Sequence, residues 1–214
     1  MFRIKGLHSN KKMDTLKIIV KSNFADWTTF EAPYDIDLVF YEPETQLNHR
    51  IGYIRFKMFN LHAEIMEGYT RDELFDLILD EFPNFLELQN SNEEVSVALD
   101  RWVENILIIE SVYIEPSFRR TGFAQKALET VLQNMLRKKQ LILTEINVYE
   151  YLPSTELRCP LDKVYLGIES KKSFKKYSSH IRKLFHNLGI FGIYPTRWMF
   201  SVSDDIQMEL DQLL

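Results

Sequence analysis

The stretch Asn105–Pro116, reading NILIIESVYIEP, constrains the fold of this chain more than any other. It is almost continuously apolar and β-branched, without the alternation of a half-exposed strand. Such a run belongs to a central strand covered on both faces. A few turn residues follow, and from Gly122 to Lys139 the pattern changes to a helical one. Ala124, Leu128, Val131, Leu132 and Met135 then mark a single buried side. A two-face-buried strand feeding directly into an amphipathic helix requires layers on both sides of a sheet, which is an α/β arrangement.

The rest of the chain fits that frame. Leu16–Val20, Ile36–Tyr41 and Arg50–Phe59 are β-branched or aromatic runs bounded by turn residues, and the last two should pair as a hairpin across Glu44–His49. Thr70 and Glu73 have capping-box spacing ahead of Leu74, Leu77, Ile78 and Phe82, which predicts a helix that Pro83 stops. Ser91 and Glu94 repeat the cap ahead of Val95, Leu99 and Val103. Leu141–Val148 reads as a further strand. Ser178–Leu188 reads as a short helix with Ile181, Leu184, Phe185 and Leu188 inward, ended by Gly189. Phe191–Ser203 reads as a bent strand or hairpin around Pro195. The expected order βββααβαβαβ(β) is a mixed sheet in a single domain. Residues 1–104 give N-terminal strands and acidic helices, 105–203 the core, and 204–214 a C-terminal tail.

Composition narrows the function. No run approaches the roughly 18 apolar residues of a membrane helix, and the first residues carry no apolar leader. Cys159 is the single cysteine, and the five histidines never fall three or four apart, so neither a disulfide framework nor a metal site is expected. A cytoplasmic protein working without metal or membrane follows. The net charge of −5 is unevenly spread. Residues 64–110 hold 13 acids against two bases, whereas 111–140 hold six bases against two acids. Nucleic acid is therefore an unsuitable partner for the whole molecule, but a local basic region suits an anionic cofactor.

That basic region begins at Ile114-Glu115-Pro116-Ser117-Phe118-Arg119-Arg120-Thr121-Gly122-Phe123-Ala124. A strand here turns tightly into a helix N-terminus, whose first amides lack intrahelical acceptors and sit at the positive end of the dipole. Gly122 allows close backbone approach, Ala124 lets the helix pack closely, and Arg119 and Arg120 add charge for a pyrophosphate. These residues resemble the GNAT superfamily of N-acetyltransferases. Its strand–turn–helix carries an aliphatic residue, any residue, Pro, two more, then Arg or Gln, two residues, Gly, one residue, and Gly or Ala. Ile114, Pro116, Arg119, Gly122 and Ala124 fill those positions. A second element, Leu184-Phe185-His186-Asn187-Leu188-Gly189-Ile190, is similar to the family's Leu-Tyr-x-x-x-Gly-Phe. The resemblance covers residues 105–203, about half the chain. It implies a splayed mixed sheet, acetyl-CoA as donor and an amine acceptor of unknown identity. It implies that the amides of Arg119, Arg120, Thr121, Gly122, Phe123 and Ala124 hold the pyrophosphate, and that the strand from Val112 to Ile114 holds the pantetheine.

The chain departs from the family at several points. Phe185 stands where many members have a Tyr that protonates the leaving thiolate, and Phe has no proton to give. Ser178 and Ser179 stand where the family often has an Asn, or else cap the helix. Glu110 is the candidate general base, placed on the same strand face as Val112 and Ile114, although the family's best-known base position falls on Ile108. Desolvation in an apolar run would raise its pKa and suit it to take a proton from an ammonium. Alternatively it is a structural strand-end carboxylate, and Glu145, Asn147 and Glu150 are weaker candidates. The helices of 62–103 directly precede the motif strand instead of following the first strand. The long connection 152–177 contains Cys159, Tyr165, Tyr177 and the basic run Lys171–Lys176, read as a solvated loop or part of an acceptor site. The acidic helices are either solvated surface or an attraction for a polyamine, an aminoglycoside or a Lys-rich protein segment. The rival expectation is a catalytically inactive protein of the same fold that may retain CoA, and a third is transfer of a longer acyl or an aminoacyl group.

Overall fold

A computed structural model describes residues 16–21, 30–62, 68–145, 171–193 and 198–213. Among these residues seven strands form one sheet: β1 (Leu16–Lys21), β2 (Glu31–Glu42), β3 (Leu47–Asn60), β4 (Asn105–Ile114), β5 (Gln140–Glu145), β6 (Phe191–Gly192) and β7 (Trp198–Val202). Their order is β1-β2-β3-β4-β5-β7-β6, and every neighbouring pair is antiparallel except β4 and β5. The β2–β3 hairpin turns at residues 43–46, with Gln46 in the left-handed region at φ 58°. Residues 146–150, including Asn147 and Glu150, lie outside the described residues, as do Cys159 and Tyr165 in 152–170 and the turn around Pro195.

The helices are α1 (Arg71–Glu81), α2 (Phe85–Ser91), α3 (Glu93–Arg101), α4 (Phe123–Met135), α5 (Lys171–His186) and α6 (Asp204–Leu213). They cover both sides of the sheet, as β4 requires. On one side Leu107 and Ile109 of β4 pack with Ile54 and Phe56 of β3, with Ala127, Leu128 and Val131 of α4, and with Phe185 of α5. On the other side Ile106 and Ile108 pack with Leu74 and Ile78 of α1, Phe85 and Leu88 of α2, Val95 and Leu99 of α3, and Ile206 and Leu210 of α6. Residues 204–213, expected as a tail, thus form a helix in the second core.

Several local expectations change. Three helices, not two, span 71–101. In α1 the capping box is present, with Glu73 N donating to Thr70 Oγ1 at 3.3 Å and Thr70 N to Glu73 Oε2 at 2.8 Å. The buried face is Leu74, Phe75 and Ile78, whereas Leu77 is exposed. Phe75 takes the inward place because it meets Phe85 of α2, ring centroids 6.1 Å apart. The cap of α3 is not Ser91, which ends α2, but Asn92, whose Oδ1 accepts from Val95 N at 2.9 Å. Helix α4 stops at Met135, four residues before Lys139. Helix α5 starts at Lys171, so Lys171–Lys176 and Tyr177 are helical and Ser178 and Ser179 are interior, not N-caps. Its end is as expected. Gly189 has φ 76°, Gly189 N donates to His186 O and Ile190 N to Phe185 O, a doubly bonded glycine cap.

Candidate functional site

Among the described residues, which stop on β5 at Glu145, the parallel ladder of β4 and β5 runs from Asn105↔Gln140 to Ile109↔Thr144. Thr144 Oγ1 donates to Ile109 O at 3.0 Å. On the opposite edge of β4 the register to β3 slips at the same level. Phe56 pairs with Ile109 and Arg55 with Ser111, leaving Glu110 as the extra residue of a β-bulge. Beyond the bulge β4 continues to Ile114 alongside β3, with no partner strand on its other flank among the described residues. Among the described residues that stretch of β4 edge is unpaired, and an unpaired strand edge can accept an extended ligand.

The bulge corrects the placement of Glu110. An extra residue changes the parity of a strand, so Glu110 does not share a face with Val112 and Ile114. Those two join the core of Leu107 and Ile109. Glu110 looks to the opposite face, among charges from β2, β3 and α1. Burial pushes its carboxyl above the ordinary glutamate range; Lys57 and Arg55 pull it down, and Glu81 and Asp35 push it further up. The direction expected from the sequence holds, and desolvation is its main cause.

The strand ends in the motif turn. Pro116–Phe118 form one 3-10 turn, with Phe118 N donating to Glu115 O at 2.9 Å. Arg120 at φ 64° and Gly122 at φ 86° are both left-handed, and Gly122 is the N-cap of α4. The first intrahelical bond is Lys126 N to Gly122 O, so the amides of Phe123, Ala124 and Gln125 have no intrahelical acceptor. Thr121 Oγ1 donates to Phe118 O at 2.6 Å, holding the turn closed. The Phe123 side chain points away from the turn into the core against Phe40 and Phe118, so only its amide could face an anion. Arg119 is half-buried. Its Nε donates to Ile114 O at 2.9 Å and its guanidinium lies 5.9 Å from the Tyr113 ring centroid, which ties the turn to the strand end. Arg120 is exposed, as are Thr121 and Gly122. The structure therefore brings Val112, Ile114 and the 119–124 turn together at one end of β4, with Glu110 at its root on the other face.

Phe185 is 2% exposed and lies in the core, so its side chain packs rather than reacts. Glu145, at the end of β5, accepts from Asn84 Nδ2 at 2.9 Å. The α1–α2 corner carrying Asn84 reaches over three strands: Glu81 contacts Lys57 of β3, Asn84 holds Glu145 of β5, and the Asn84 carbonyl accepts from Trp198 Nε1 of β7 at 2.9 Å. Sequence reading missed Lys57, Glu81, Asn84 and Thr144. Only Lys57 has a local signal, the alternation of Tyr53, Arg55 and Lys57 with Ile54, Phe56 and Met58.

The mixed sheet, seven-stranded among the described residues and flanked by helices, is consistent with a GNAT-like fold. Among solved structures the chain is similar to a point mutant of KacT, with a TM-score of 0.37 and 9% identity, covering 85% of this chain and 75% of that one. No protein-family model matches the sequence, and no curated protein matches it.

Proposed function

We propose that this chain is an acyltransferase that uses acetyl-CoA and delivers the acyl group to an amine, a small molecule or a protein side chain, in the cytoplasm. The carrying observation is the turn that follows β4, where Arg120 and Gly122 are both left-handed directly ahead of the α4 N-terminus. The edge of β4 from Val112 to Ile114, unpaired on its second flank among the described residues, suits an extended amide-containing arm. The amides after Gly122, with Arg120 beside them, suit a pyrophosphate. Bound there, acetyl-CoA would supply an activated thioester. The chain's own contribution is to hold the arm along β4, neutralise the phosphates at the turn, and take a proton from the acceptor ammonium at Glu110. No residue is assigned to protonate the thiolate.

A second reading is favoured by one observation. Phe185 is buried and aprotic where the resembling family places a tyrosine hydroxyl, which fits a protein that binds CoA without turnover. Calorimetric titration with CoA, run beside acetyl transfer to a panel of amines, separates the two readings. Binding with transfer supports the enzyme, binding without any transfer supports the second reading, and absence of binding removes both. Gly122→Val forces a β-branched residue into φ 86° and crowds the turn. It should weaken CoA on the order of a hundredfold, about 2.7 kcal/mol, with far-UV circular dichroism unchanged. Near-normal affinity would place the pyrophosphate elsewhere.

A further inference from the structure

The polar side of β3 is set by its alternation, Tyr53, Arg55 and Lys57 facing away from the core that holds Ile54, Phe56 and Met58. Lys57 pairs in register with Ile108, and Arg55 with Ser111, so the bulged Glu110 falls between them. The Lys57 side chain is only 16% exposed. Its Nζ lies 2.7 Å from Glu31 Oε1 of β2 and in direct contact with the carboxylate of Glu81, the last residue of α1. Two elements locate this ammonium, which a flexible four-carbon stem alone would not. Burial works against its charged form, but Glu31 and Glu81 outweigh burial and its pKa is raised. It is an ammonium throughout the neutral range.

Its commitment to Glu31 and Glu81 matters for Glu110. A lysine paired directly onto a general base would stabilise the carboxylate until it no longer took protons. A lysine held elsewhere, one neighbour away, opposes burial without quenching basicity. Among the described residues, the charged groups that act on Glu110 are Lys57 and Arg55 from β3, Asp35 from β2 and Glu81 from α1. Glu145 of β5 is held by Asn84.

We propose that Lys57 is a positioning residue for Glu110: clamped between Glu31 and Glu81 beside the bulge, its ammonium keeps Glu110 ionised and ready to accept a proton from an amine acceptor. This rests on the acyl-transfer reading for the task of Glu110, but not for the electrostatic coupling between the two residues. The step balances simply. One N–H bond of the acceptor ammonium breaks, an O–H bond forms on Glu110, and the electron pair stays on nitrogen for attack.

The test is a carboxyl-carbon NMR titration of Glu110 in the full chain, its resonance assigned with Glu110→Gln. Lys57→Met should shift the midpoint upward, Lys57→Arg should leave it near the wild-type value, and Glu81→Gln should shift it downward. The opposed signs are diagnostic, because Lys57→Met and Glu81→Gln both break the same contact between β3 and α1. A purely structural tie would move Glu110 in one direction for both, and that result overturns the proposal. So does an unmoved midpoint in Lys57→Met. Should Lys57→Met fail to fold, Glu81→Gln decides: a downward shift supports the coupling, and an unmoved or raised midpoint overturns it. CoA calorimetry on the same proteins keeps the two ideas apart. Unchanged affinity across the variants shows that the donor site is independent of Lys57. Absence of CoA binding in the wild type overturns the catalytic task of Glu110 and Lys57, while the midpoints still decide whether Lys57 governs Glu110.

Discussion

Glu110 shows what a single residue carries when the backbone around it is irregular. Burial raises its pKa, so in the folded state it binds its proton more tightly than in the unfolded chain. Ionisation then costs stability. The cost is absent below the ordinary glutamate range and grows as pH rises through the folded-state pKa. Glu110→Gln should match the wild type in acid denaturation midpoints and become progressively more stable than it toward neutral pH. Urea unfolding at several pH values reads this directly, and a difference that does not vary with pH would contradict the burial of the charge. The sequence made Glu110 visible as the lone acid inside an apolar run. It could not assign the face, because period-two reading assumes an unbroken ladder and the bulge is decided by pairing with β3. The motif turn was legible for the opposite reason: Gly122, Arg119 and Ala124 act through local backbone, and local backbone is what a motif encodes.

At the scale of elements, caps were easier to anticipate in kind than in place. Thr70 and Glu73 form the reciprocal pair that their spacing implies. One helix later the cap moves from Ser91 to Asn92, because the carboxamide of Asn92 reaches the Val95 amide while Ser91 still belongs to α2. Asn92→Ala should cost about 1 kcal/mol in thermal or urea unfolding, and Ser91→Ala less than about 0.5 kcal/mol. Equal costs would assign the cap to neither residue. Helix α5 starts seven residues before Ser178, where its apolar stripe begins, since that stripe marks only its second half. Lys171, Lys172, Lys175 and Lys176 favour helix by propensity and leave no periodic trace.

For the molecule as a whole, a mixed sheet covered on two faces followed from β4 alone, since a strand apolar on both sides has to be enclosed. What ties the layers together was not legible. The Trp198 indole N–H and the Asn84 carbonyl are 114 residues apart in sequence and 2.9 Å apart in the fold. Nothing near either residue announces the other. Trp198→Phe leaves that carbonyl without its donor and removes buried volume, so it should cost about 2–4 kcal/mol. The helical signal and the fluorescence of Trp102 should still be lost in one transition. Two separated transitions would mean that the α1–α3 layer unfolds independently of the sheet.

The two slips in register have a joint consequence. β3 carries an extra residue, Ile51, against β2, and β4 carries Glu110 against β3. Between them lies Gly52, where a Cβ would run into the Tyr113 carbonyl oxygen. Each slip inverts inside and outside along its strand, so the two halves of β4 obey different spelling rules. Before residue 110 the even positions face the helices α1–α3; after it the even positions face α4. A one-residue deletion at the bulge would therefore not shorten a loop. It would turn Val112 and Ile114 toward the charged side and Tyr113 into the core, exchanging oil for water along half a strand. The apparent irregularity is the punctuation that lets both halves of the strand make sense.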